Sequence, residues 1–144
     1  MLLQYILIPL VAAGIAQVSK FFIKSNRTSF TWHAIFAYSG MPSSHAAITI
    51  SLATAIGLNE GFNSAVFGLA FVFALITIRD AAGLRRQLGR QGKVINNLTK
   101  ELDEDNLLDD AYPLMTEKIG HTPTQLLVGS MIGLAVAIIG QLIW

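Results

Sequence analysis

The chain has no cysteine. Disulfides, thiolate nucleophiles and cysteine-held zinc or iron–sulfur centres are therefore excluded. Charge is almost as scarce. Charged residues are 13% of the 144, against ~25% in an ordinary soluble domain. Their placement is uneven. Lys20, Lys24 and Arg27 form one cluster, Glu60 stands alone, and fifteen more fall between Arg79 and Lys118. The stretches 1–19, 28–59, 61–78 and 119–144 carry none. A soluble surface needs charge over all of itself, so the distribution argues for a polytopic membrane protein. A net charge of +1 gives no global attraction for nucleic acid, and none is expected as a partner. No internal repeat or low-complexity linker is present, so 1–144 reads as a single integral membrane domain.

What is present is apolar and helical in length. About 20 residues at ~1.5 Å each cross a ~30 Å hydrocarbon core. Four stretches approach that: 2–19, 43–58, 62–78 and 125–144. The first lacks a basic leader and a clear cleavage site, so it reads as a span and not a removed signal peptide. The second is short and rich in small and hydroxyl residues, which suits close helix packing. Asn59-Glu60-Gly61 reads as a tight turn. In the fourth, Gly129 and Gly133 form a small-residue face, and Trp144 reads as an interfacial anchor. The 30–39 run is apolar but too short to span, and reads as re-entrant or interfacial. The expected fold is all-α, with about four transmembrane helices. A homodimer is compatible with glycine-rich faces that need partners.

All ten Lys and Arg lie in the loops 20–42 and 79–124. The positive-inside rule then places both loops in the cytoplasm and both termini on the opposite side. Within 79–102, Leu84, Leu88, Ile95, Leu98 and Leu102 recur at helical spacing opposite basic residues. This predicts a cytoplasmic amphipathic helix able to lie in the membrane surface, interrupted by Gly83, Gly89 and Gly92. The run 101–110 that follows holds six carboxylates and reads as a solvated loop.

Two segments carry candidate chemistry. Gly40-Met41-Pro42-Ser43-Ser44-His45 and Gly120-His121-Thr122-Pro123-Thr124-Gln125 each place a histidine at the entry to an apolar helix. Helix entries offer unpaired N–H groups and the positive dipole end, which favour anions. The bland reading of each segment is a capped helix start. His33 has no motif around it and reads as a packing residue. Lys20 and Arg27 lie seven apart, and Arg79, Asp80, Arg85 and Arg86 open the second loop. Any one of these cations could serve only as a topology signal. Together, histidines and cations fall on one predicted face of the membrane. Phosphate chemistry needs that set: cations on the oxygens, a nucleophile, and an acid for the leaving group.

The segments Gly-Met-Pro-Ser-Ser-His-Ala-Ala, Arg-Asp-Ala-Ala-Gly-Leu-Arg-Arg and Gly-His-Thr-Pro, in this order from about Gly14 to Gly140, resemble the divergent branch of the type-2 phosphatidic-acid phosphatase superfamily. That superfamily also includes the vanadium haloperoxidases. Lys20 and Arg27 fit its first motif, with Thr28 in place of proline. Pro42, Ser43 and His45 fit the second, with Ser44 in place of glycine. His121 and Pro123 fit part of the third. Gln125 stands where that motif has aspartate, and its Ser-Arg element is displaced, with Arg79, Arg85 or Arg86 left to supply it. The resemblance implies a phosphatase acting on a lipid phosphate or diphosphate, with no metal or cofactor. It implies His121 as the nucleophile that forms a phosphohistidine and His45 as the general acid. Lys20, Arg27, Ser43, Ser44 and the arginines would hold the phosphate. Gln125 can orient an imidazole but cannot balance an imidazolium; Asp80 or Glu117 could supply that charge. The alternative is a weakened or inactive relative that binds an anionic lipid headgroup or a partner protein. A third reading is a metal-dependent lipid enzyme using Asp80 and the 101–110 carboxylates.

Overall fold

A computed structural model describes residues 3–23, 40–104, 112–117 and 119–143. Arg27, His33, the 30–39 run, residues 105–110 and Trp144 lie outside the described residues. The fold is all-α, and among the described residues there is no strand. Among the described residues five helices follow one another: α1 (Gln4–Ser19), α2 (Ser44–Glu60), α3 (Ala65–Ala82), α4 (Leu84–Glu104) and α5 (Pro123–Ile143). A short 3-10 turn, Lys20–Phe22, ends α1. Among the described residues three stretches are long and apolar enough to cross a membrane: Gln4–Phe22, Ala65–Glu104 and Pro123–Ile143. The short, hydroxyl-rich α2 sits among them and packs against α1, α3 and α5.

The core is made of the smallest side chains. Of thirteen buried apolar residues among those described, ten are alanines. The large ones, including Leu10, Leu69, Phe73, Leu127 and Ile138, face outward. In lipid there is no hydrophobic reward for burying leucine against leucine, so helices associate through small residues that let backbones approach. That is why α2, with Ala46, Ala47, Ala53 and Ala55 buried, is central despite its modest hydropathy. Its buried hydroxyls bond back to the helix: Thr49 Oγ1 donates to the His45 carbonyl at 2.8 Å, and Ser51 Oγ to that of Ile48 at 3.0 Å. These two hydroxyls are thereby satisfied within the helix.

α5 seats itself on α2 at two glycines one turn apart. A Cβ on Gly129 would overlap the Ser43 carbonyl, and one on Gly133 would overlap that of Ala47. Asn59 and Glu60 prove to be the last residues of α2; the turn runs over residues 61–64, opened by Gly61 at φ 87° and closed by the Ser64 N–H donating to the Gly61 carbonyl at 3.1 Å. At this end Tyr5 donates to Glu60 at 2.7 Å, and the Asn59 and Gln141 amides pair at 2.7 and 2.9 Å. The isolated Glu60 thus joins α1 to α2. α3 begins at Ala65 and runs past the expected limit at 78, so Arg79 and Asp80 belong to its last turn. Gly83 alone interrupts the path into α4.

Candidate active site

The two histidines reach each other through backbone contacts at the same end of the bundle. Ser43 caps α2 by accepting from the Ala46 N–H at 3.4 Å, which leaves His45 in the helix's first turn. The Ser43 N–H donates to the Gln125 carbonyl at 3.0 Å, tying that cap to the first turn of α5. On the other side, the His121 N–H donates to the Ala81 carbonyl at 2.9 Å. Gly120, at φ 88°, crosses the α3–α4 break so closely that a Cβ would meet the Arg86 nitrogen at 2.7 Å. A side chain is disfavoured there on both counts. These ties bring the imidazole rings of His45 and His121 to 5.8 Å between centroids, edge to face at 74°.

The site is enclosed. His121 is 2% exposed, Lys20 is 4% exposed, and Pro42 and Ser43 are fully buried. Neither ring nitrogen of His121 has a hydrogen-bond partner among the described residues, nor does Nδ1 of His45. Buried polar atoms are rarely left this way, and each such atom asks for an explanation. Burial pushes the His121 imidazole down to about 4, reinforced by the charges of Lys20, His45 and Arg85. At neutral pH the ring is uncharged and both its nitrogens are unoccupied by protein.

The cations expected at the site separate into those that reach it and those that do not. The charges of Lys20 and Arg85 act on both histidines. Arg85 Nε also bonds Asp80 Oδ2 at 2.6 Å, and the Asp80 charge acts on His45. Arg79 and Arg86 are exposed. Ser44 is partly buried at the start of α2. Gln125, expected to stand behind His121, is used otherwise. Its Oε1 accepts from the Thr122 N–H at 2.9 Å, and its own N–H donates to Thr122 Oγ1 at 3.3 Å. This is a reciprocal capping box at the start of α5. Glu117 instead accepts from Asn96 Nδ2 at 2.9 Å. No cluster of three or more metal-ligating side chains occurs among the described residues.

The amphipathic helix has a role that the sequence reading missed. Residues 112–117 run along α4, where Gly89 and Gly92 lie against the backbone of Glu117 and Thr116. Asn96 clamps the Met115 backbone on both sides, at 2.9 and 2.7 Å. The glycines that weaken the helix pattern are the seat for this segment, which leads into His121. A glycine pair three apart on one side of a predicted helix was the available signal.

A family model described as the divergent PAP2 family matches residues 3–136. An uncharacterized membrane protein of Bacillus subtilis, YuiD, is 33% identical over 141 residues, covering 90% of this chain and 87% of its own. No solved structure matches.

Proposed function

The chain belongs to the divergent PAP2 family and is an integral membrane protein, and from that premise we propose that it is a phosphatase for a lipid phosphate or diphosphate. One observation carries the reading. Buried His121 and half-buried His45, from distant helix entries, lie 5.8 Å apart, with three ring nitrogens unpartnered among the described residues and two cations acting on both. In the proposed reaction, neutral His121 attacks phosphorus and forms a P–N bond. The P–O bond to the lipid breaks, and His45 gives its proton to the departing oxygen. Water, deprotonated by His45, then cleaves the phosphohistidine and releases inorganic phosphate. Lys20 and Arg85, with Arg27, hold the oxygens as charge develops. No metal is required in this scheme. By the positive-inside rule the basic loops support a site at the cytoplasmic leaflet, with 1–144 acting as one membrane domain, alone or as a homodimer.

A second reading has its own support. Among the described residues no carboxylate bonds His121, and Gln125 is committed to the α5 cap. A site that keeps its cations and loses that support can bind a phosphate headgroup without turning it over.

Phosphate release by purified protein in lipid nanodiscs, with EDTA present, separates the two. The phosphatase reading expects turnover on at least one lipid phosphate, abolished by His121→Ala and by His45→Ala. Headgroup binding with no turnover above those variants would replace it with the second reading.

A further inference from the structure

α4 presents an apolar stripe that no other described residue covers. Leu84, Leu88, Ile95 and Leu98 are all exposed on one side, recurring at helical spacing. The flank bearing Gly89, Gly92 and Asn96 is taken by residues 112–117. That segment adds exposed apolar groups of its own, Tyr112, Leu114 and Met115. Only Gly83 separates the helix from the apolar α3, with which it forms the candidate span Ala65–Glu104. From 84 to 100 it carries five cations, Arg85, Arg86, Arg90, Lys93 and Lys100, and no acid.

We propose that α4 and residues 112–117 form one platform that docks on an anionic lipid surface and so anchors the segment carrying His121. The chemistry selects the occupant. An apolar stripe with a basic polar face is what an interfacial helix offers, and basic residues just past a span are drawn to anionic headgroups. A second copy of α4 would cover the stripe but leave the basic face without a counter-charge. The platform connects to the site through the Asn96 clamp on Met115, the Glu117 backbone on Gly89, and the Gly120–His121 crossing at Ala81. The docking does not depend on whether the site turns over phosphate.

The absence of native cysteine makes each introduced thiol a unique label. An environment-sensitive fluorophore is placed at Ile95→Cys on the stripe, Leu114→Cys on the segment and Asn97→Cys on another side of α4. Leu98→Cys is a second stripe position should Ile95→Cys not purify folded. Quenching by nitroxide lipids is read in phosphatidylcholine nanodiscs with and without phosphatidylglycerol. The stripe and segment labels should be quenched several-fold more than the Asn97 label, and more strongly with phosphatidylglycerol. Arg90→Gln or Lys93→Gln should each shift the docking equilibrium about fivefold toward the undocked state. Asn96→Ala should release the Leu114 label and leave the Ile95 label quenched. The proposal is overturned if the stripe label is quenched no more than the Asn97 label, or if phosphatidylglycerol makes no difference. It is equally overturned if shielding appears only with two copies per disc, or if Asn96→Ala leaves both labels unchanged.

Discussion

Gly129→Ala is the sharpest probe of how the site is assembled. The added Cβ would lie 3.0 Å from the Ser43 carbonyl carbon and 3.1 Å from its nitrogen, and would overlap the oxygen. These are backbone atoms with no rotamer to yield. Restoring ordinary contact needs α5 to retreat from α2 by about 1 Å. Overpacking of this kind costs ~1–3 kcal/mol, and each kcal/mol moves the melting temperature of a chain this size by roughly 3–5 °C. The same retreat stretches the Ser43–Gln125 hydrogen bond and shifts His45 relative to His121. A misplacement of ~1 Å can lower turnover about 100-fold. Thermal unfolding in detergent and phosphate release in nanodiscs read the two effects. Gly68→Ala is the control, since a Cβ there meets nothing within 4 Å and should gain a few tenths of a kcal/mol of helix propensity. If Gly129→Ala melts with the wild type and keeps its full activity, the helices do not touch at this seam and the account of the site fails.

Other outcomes follow from individual groups. In a histidine-labelled NMR titration, His121 should stay neutral until the pH approaches about 4; a midpoint near 6.5 would contradict its burial. Because that pKa is depressed by folding, the stability it contributes is complete above about 6.5 and falls away as pH drops toward about 4. Asp80→Asn breaks a half-exposed pair with Arg85, so stability should change by less than ~1 kcal/mol, while phosphate release falls clearly; equal losses in both would make the pair merely structural. Gly120→Ala combines a left-handed φ with a backbone clash and should cost ~1–3 kcal/mol in unfolding free energy. An unchanged melting temperature there would refute the tight crossing at Ala81.

The sequence showed some parts of this arrangement and hid others for physical reasons. Apolar stretches and the scarcity of charge located the membrane helices, because hydropathy acts locally and needs no partner. The two histidines were visible as helix entries, although only the fold shows that Ser43 and Ala81 bring them together. That the Arg85 charge bears on both histidines was not readable. It depends on how the chain turns at Gly83, and neighbouring arginines look alike until that turn is known. Gln125 was legible and was read for another purpose. Thr122-Pro123-Thr124-Gln125 is a capping-box spacing, and the local hydrogen bond took the side chain expected behind His121. Gly89 and Gly92 counted against the helix as a matter of propensity, yet the segment that needs their flatness lies more than twenty residues away.

The alanine and glycine seam has a consequence for how this protein tolerates change. In a soluble core, truncation opens cavities and most damage comes from making residues smaller. Here the contacts between helices hold almost no side-chain volume to remove, and the bulky residues face the bilayer, where one apolar group serves as well as another. The mutational spectrum is therefore inverted. Enlargement at Ala47, Ala55, Gly129 or Gly133 should be the commonest route to loss of the fold, while Leu69, Phe73 or Ile138 should accept nearly any apolar replacement.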